Sequence, residues 1–118
     1  MINFKGKKIL ITGSTGGIGR GLVKKFVSLD GEILATGTKN DKLDNLKKEF
    51  PSINILKFDI SEHSKVEEFI ENVASQLTGL DILVNNVGHT LEITDPYTSK
   101  EDWSEVMNLN FLCHVEVT

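Results

Sequence analysis

The 118-residue chain contains one cysteine, two prolines, one tyrosine and one tryptophan. The single cysteine, Cys113, permits no internal disulfide, and its neighbours Phe111, Leu112 and Val115 mark it as a small buried apolar residue. No apolar run approaches the roughly 18 to 20 residues needed to cross a bilayer. The opening Met1-Ile2-Asn3-Phe4-Lys5-Gly6-Lys7-Lys8 lacks the apolar stretch and small-residue cleavage site of a signal peptide, so a cytoplasmic protein with no membrane partner is expected. A basic stripe is missing too. The formal net charge is −4, which makes nucleic acid an unexpected partner. His63, His89, His114 and Cys113 have no metal-ligand spacing, so no metal is expected.

What is present is ordinary for a globular protein: 39% hydrophobic and 25% charged residues. The length suits one domain with one core, spanning residues 1–118. Strand and helix signals alternate along it. Lys8-Ile9-Leu10-Ile11-Thr12 reads as a strand covered on both faces. Gly16 to Leu29 reads as a helix, with Ile18, Leu22, Val23 and Phe26 at helical spacing. Glu32 to Thr36 is a second strand. Asp41 to Phe50 is a second helix, stopped by Pro51. Ile53 to Phe58 is a third strand. Ser61 then caps a helix with Val66, Phe69, Ile70, Val73 and Leu77 inward, ended by Gly79. Leu80 to Asn85 is a fourth strand. A polar loop from Gly88 to Thr98 leads to a fourth helix that Ser99 opens, with Asp102 in the manner of a capping box. Its apolar face is Trp103, Val106, Met107 and Phe111. This βαβαβαβα alternation implies parallel strands in the order 3-2-1-4, a truncated Rossmann-type α/β sheet of the doubly wound kind.

The chemistry-bearing feature is the turn Gly13-Ser14-Thr15-Gly16-Gly17-Ile18-Gly19, placed between the first strand and the first helix. Gly13 permits a tight turn at the strand end. Gly17 and Gly19 remove side chains where backbone must approach a ligand or a neighbouring strand. The unpaired N–H groups of the following helix favour an anion, and a dinucleotide pyrophosphate suits the site. A Walker A loop is excluded, because Leu22 and Val23 stand where Lys and Ser or Thr are required.

The Gly-x-x-x-Gly-Ile-Gly spacing resembles the short-chain dehydrogenase/reductase family. Further segments agree: Phe4-x-Gly6-Lys7, Phe58-Asp59-Ile60, Asn85-Asn86-Val87-Gly88 and Asp102-Trp103 followed by Asn108-Leu109-Asn110. The resemblance implies contacts to the cofactor phosphates and ribose from Gly13, Ser14, Thr15, Gly16 and Ile18, with Gly19 completing the turn. It implies a hydrogen bond from the adenine amino group to Asp59, beside the Ile60 backbone, and a cofactor cleft lined by Asn86 and Gly88. Asp59 also reads as a capping acid ahead of Ser61. Asn85 reads equally as a strand-end residue bonded within the protein, and His89 as a substrate-pocket or a loop residue.

The second strand ends Thr36-Gly37-Thr38-Lys39-Asn40, with no carboxylate at position 37 or 38. An acid there would repel a 2′-phosphate, whereas Thr38 can donate to one and Lys39 can offset its charge, so NADP(H) is favoured over NAD(H). Asp41 nearby and Gly16, where many NADP-using relatives carry a base, weigh against this.

The family's hydride transfer uses a Ser, a Tyr-x-x-x-Lys and an Asn. Of these the chain holds the Asn, assigned to Asn110 rather than Asn108. Tyr97 and Lys100 are three apart and precede the helix, so they do not form the pair. The resemblance implies an NADP(H)-dependent oxidoreductase reducing a carbonyl. The opening segment and Gly37-Thr38 are similar to 3-oxoacyl-acyl-carrier-protein reductases of fatty acid biosynthesis, acting on a small-molecule or acyl-thioester substrate. The chain is expected to be a fragment of such an enzyme, with Ile82-Leu83-Val84 as an unprotected edge. Relatives commonly form homo-oligomers through the helix that starts at Ser99. The alternative is a non-catalytic nucleotide-binding module or interaction partner.

Overall fold

A computed structural model describes all 118 residues. Four strands form one parallel sheet: β1 (Lys8–Ile11), β2 (Glu32–Gly37), β3 (Asn54–Lys57) and β4 (Ile82–Val84). Their order is β3-β2-β1-β4, as expected for a doubly wound sheet of the Rossmann type. The helices are α1 (Gly17–Ser28), α2 (Asn40–Glu49), α3 (Val66–Leu77), α4 (Lys100–Met107) and α5 (Cys113–Val117).

The period of two along each strand divides the core between the two faces of the sheet. Ile9 and Ile11 of β1 join Ile33, Ala35, Val23, Leu46 and Ile53 on the face covered by α1 and α2. Leu10, between them, joins Leu34, Phe69, Val73, Leu77, Cys113 and Val117 on the face covered by α3 and α5. Burying a β-branched or leucine side chain this fully contributes about 1.5–3 kcal/mol, so β1 is the most heavily invested strand. The Phe58 and Phe69 rings stack with centroids 3.9 Å apart, fastening the end of β3 to α3. The two helices on the opposite face are joined by an Arg20–Glu49 ion pair.

Lys8 ties the lower ends of β1 and α3 together. Its Nζ donates to the Thr78 carbonyl at 3.1 Å and to Thr78 Oγ1 at 2.7 Å. These bonds satisfy an end carbonyl that the helix itself cannot. Thr78, with φ of 55°, is the left-handed residue that stops α3, and Gly79 follows it with φ of 125°. The stop therefore falls one residue earlier than the glycine suggested, at a threonine held by Lys8.

Three expectations about the helices need correction. Ser61 does not cap α3. Its N–H and Oγ both donate to Asp59 Oδ1, at 2.9 and 2.6 Å, in a local turn, and a 3₁₀ turn (His63–Lys65) precedes α3. Asp59 caps no helix either: neither the 3₁₀ turn nor α3 has a side-chain cap, and its carboxylate serves only the bend at Ser61. Ile70 is exposed, whereas Val66, Phe69, Val73 and Leu77 are buried, so the inward stripe of α3 is narrower than its apolar spacing. The expected fourth helix is divided by a π segment (Asn108–Leu112) between α4 and α5. Ser99 does open α4, accepting from Asp102 N at 3.0 Å. Trp103, Met107 and Phe111 nevertheless stay about half exposed, because no element of this chain packs over them. After the π segment, it is Cys113 and Val117 that face the core.

Cys113 is fully buried, as expected, and burial pushes its thiol above the ordinary range, which makes it an unreactive packing residue. Beside it, His63 Nδ1 pairs with Glu116 and joins the turn before α3 to α5. The bond to Glu116 raises the His63 pKa above its ordinary 6.5. A raised folded-state pKa contributes stability that is fully present below the unfolded value and is lost as pH rises through the folded value. Denaturant midpoints measured across pH 5 to 9 are therefore expected to fall above about 6.5 in the wild type. The His63→Gln variant should show a smaller fall over that window. An identical profile would show that the pair makes no contribution.

Candidate functional site

The glycine turn sits where β1 meets α1, between β2 and β4, and the chain reverses its direction of sheet growth at this point. In open α/β sheets this switch point leaves a crevice beyond the strand ends. Here the crevice is a cleft of about 740 Å³. Its walls come from five places: the turn (Gly13, Thr15 to Gly19), the end of β2 (Thr36 to Thr38), the end of β3 (Phe58 to Ser61), the segment after β4 (Asn86 to His89, with Leu91) and the helical residues Glu105, Asn108 and Leu109.

The glycines shape the floor. Gly13 adopts φ of 62°, a left-handed conformation that a side chain would strain. A Cβ at Gly19 would lie 2.1 Å from the Gly13 carbonyl oxygen, so α1 sits directly on the turn. At Gly37 a Cβ would meet Thr15 Cγ2 at 3.1 Å. Gly16 is the N-cap of α1 and no side chain caps it. The first helical bond is Arg20 N to Gly16 O, at 2.9 Å. The N–H groups of Gly17, Ile18 and Gly19 consequently have no acceptor in the protein, and no acidic residue occupies that first helical turn. Ile18 is 75% exposed at the cleft mouth although its spacing suggested an inward position.

Of the residues singled out from sequence, Gly13, Thr15, Gly16, Ile18, Gly19, Thr38, Asp59, Ile60, Asn86 and Gly88 all line this one cleft. Ser14 does not. It is fully buried, its Oγ donates to Ile11 O at 2.6 Å and its N–H to Thr36 O at 2.9 Å. Its hydroxyl is committed to holding the turn. Thr12 plays a matching part that the spacing did not reveal: its Oγ1 donates to Val84 O at 3.3 Å and accepts from Asn86 N at 3.1 Å. Asn86 Nδ2 in turn donates to Gly13 O at 3.1 Å, joining the segment after β4 to the glycine turn.

Asn110 also lies off the cleft wall, behind Gly88. Its Oδ1 accepts from His89 N at 3.0 Å, and its Nδ2 donates to His89 O at 2.7 Å and Val106 O at 2.8 Å. Asn108, Leu109 and Glu105 are the helix residues at the cleft. Asn110 is the first rung of a ladder. His114 Nε2 donates to Val87 O at 2.6 Å, and Asn85 Nδ2 donates to Thr118 Oγ1 at 3.1 Å. Residues 89, 87 and 85 thus meet 110, 114 and 118. The strand period of two runs antiparallel to a helical spacing of four, which keeps all three side chains on one helix face. The ladder makes Asn85 a residue bonded within the protein. Tyr97, 92% exposed in its loop, takes no part.

Fold and cleft together define a Rossmann-type α/β protein whose open site lies at the sheet's switch point. A family model described as short chain dehydrogenase matches residues 7–118, and the chain belongs to that family of oxidoreductases. It is 30% identical over 104 residues to the NADP-dependent 3-hydroxy acid dehydrogenase YdfG of Escherichia coli, covering 86% of this chain and 42% of the relative. It is also 30% identical over 114 residues to the 3-oxoacyl-[acyl-carrier-protein] reductase FabG of Aquifex aeolicus, covering 92% and 46%. The crystal structure of a short chain dehydrogenase from Bacillus anthracis superposes with a TM-score of 0.85 at 26% identity, over 97% of this chain and 49% of that one. The chain thus spans less than half the length of the curated relatives it matches. No helix is long and apolar enough to cross a membrane.

The glycine geometry makes an opposed pair of predictions. Gly19→Ala is expected to destabilise the fold by about 1–3 kcal/mol or more, because backbone blocks the new methyl group. Gly17 has open space at its Cβ position, so Gly17→Ala should leave stability equal or raised by up to about 1 kcal/mol. Urea denaturation of the two variants checks both. Equal midpoints would contradict the close approach.

Proposed function

We propose that these 118 residues are the incomplete N-terminal, nucleotide-binding half of an NADP(H)-dependent reductase that delivers hydride to a carbonyl group. The observation carrying this reading is the row of free N–H groups at Gly17, Ile18 and Gly19, at residues that line the cleft. Three aligned donors at the positive end of a twelve-residue helix fit a pyrophosphate. Gly13, Thr15, Gly16 and Gly19 let the backbone approach it, and Ile18 covers the ribose side. Ser14 contributes by fixing the turn. Asp59 accepts from the adenine amino group with one carboxylate oxygen while the other holds Ser61, and the Ile60 backbone lies beside it. Asn86 and Gly88 form the opposite wall.

Thr38 lies at the cleft end of β2 with no carboxylate beside it in the strand, which supports donation to a 2′-phosphate. The name of the YdfG relative supports the same cofactor, and the names of both relatives support a substrate of the 3-hydroxy-acid or 3-oxoacyl-thioester kind. The bound dinucleotide supplies the hydride. The chain's own part is to orient it and exclude water. By its place in the family pattern Asn110 belongs to the proton relay, and here its side-chain amide bonds to His89 and Val106. The exposed Trp103, Met107 and Phe111 support a homo-oligomer or a further segment packing over α4.

A second reading is a nucleotide-binding module without turnover. It is favoured by the cleft lining, which holds the glycine turn and neither a tyrosine nor a lysine. Fluorescence titration should show NADPH binding more tightly than NADH. Thr38→Asp should weaken NADPH by about tenfold or more through charge repulsion and leave NADH nearly unchanged. Tighter NADH binding by the wild type would defeat the cofactor assignment. With an acetoacetyl thioester the 118-residue protein should not oxidise NADPH, and turnover at an enzymatic rate would refute the module reading.

A further inference from the structure

The segment after β4 holds one histidine more firmly than a loop residue requires. His89 follows Gly88 on the cleft wall and is exposed. Asn110 grips both its backbone N–H and its carbonyl. The ring is fixed independently, because Nδ1 accepts from Leu91 N at 2.7 Å. A ring nitrogen that accepts from a backbone N–H carries no proton. The neutral ring therefore bears its proton on Nε2. That Nε2 has no partner within the protein. The chain beyond it is held in an uncommon conformation: Leu91 and Glu92 both have positive φ, 55° and 62°, and neither is glycine. Such backbone is strained for a non-glycine residue and persists only where its surroundings enforce it. Here the Leu91–His89 bond and an Ile93 N to Thr90 O bond of 3.0 Å do so.

We propose that His89 is a specificity-determining residue whose Nε2–H, aimed by its three anchors, donates to a hydroxyl or carbonyl oxygen of the ligand in the cleft. The reading rests on the nucleotide cleft proposed above. His89 lines the same cleft, and its imidazole offers a directed donor to an oxygen there without adding a charge. An oxygen of the dinucleotide and an oxygen of the substrate share this chemistry.

Two substitutions separate the ring's two nitrogens. In His89→Asn the side-chain oxygen occupies the place of Nδ1, so the bond from Leu91 N can persist while the outward donor is lost. In His89→Gln the amide nitrogen reaches the place of Nε2, so the outward donor persists while the bond from Leu91 is lost. Each variant and the wild type are titrated with NADPH, alone and in the presence of 3-hydroxybutyrate. Two-bond proton–nitrogen spectra of the wild type report the tautomer and the Nε2–H signal. The expected result is an Nε2–H tautomer whose signal moves on ligand addition, with affinity about five- to tenfold weaker in His89→Asn and close to wild type in His89→Gln. A difference with NADPH alone assigns the oxygen to the dinucleotide, and one seen only with 3-hydroxybutyrate assigns it to the substrate. Either supports the proposal. The reverse ranking shows a role confined to shaping the loop and overturns it, as do equal affinities. Failure of the wild type to bind NADPH at all would instead remove the nucleotide reading, and this inference with it.

Discussion

Everything in the cleft follows from the contact between Gly19 and the Gly13 carbonyl. With no Cβ at Gly19, α1 can descend onto the turn that leaves β1. That descent leaves the first N–H groups of the helix uncovered at the ends of the strands. It also lets the Gly13 carbonyl accept from Asn86, so the turn and the segment after β4 become one wall. Ser14 and Thr12 hold this arrangement from beneath, each with a hydroxyl bonded to strand backbone. The site is a backbone surface, and the side chains nearest to it serve largely to keep that backbone in place.

The architecture was legible in the sequence because the β1 pattern and the helix stripes are governed by burial. Alternate residues of Lys8–Ile11 feed opposite faces, and only a sheet covered on both sides uses them all. The alternation of elements gave parallel pairing, and the order β3-β2-β1-β4 is the one expected of a Rossmann-type sheet. The glycine turn was legible for the same kind of reason, since its spacing states where side chains are forbidden.

What could not be read was the direction in which polar side chains spend their bonds. Ser14 and Thr15 are adjacent and equally polar, yet one is buried against Ile11 and the other lines the cleft. Asp59 and Ser61 offered a capping pattern, and the chain used it for a separate bend ahead of a 3₁₀ turn. Apolar spacing also overstated the packed face of α4, because a stripe records a preference for burial and is silent about whether a partner is supplied. The π segment has no signature of its own in composition. Its effect is to change which residues face the sheet, from the stripe of Trp103 and Met107 to Cys113 and Val117.

The three rungs that join residues 85, 87 and 89 to 118, 114 and 110 obey a rule of lengths. Residues 85–89 lie beyond β4 and Asn110 lies in the π segment, but extended chain advances about 6.6 Å in two residues and an α-helix about 6.0 Å in four, so spacings of two and four can match. The two rulers nearly agree, as on a vernier, and drift apart by about half an ångström per step. Such a scale can be read at only a few graduations, and it has one setting. Sliding the helix by one turn would bring Val106 opposite His89, where a valine side chain offers no bond. The position of the cleft wall relative to the helix is thus encoded digitally, by which side chains can answer, on a stretch whose geometry alone would tolerate neighbouring settings.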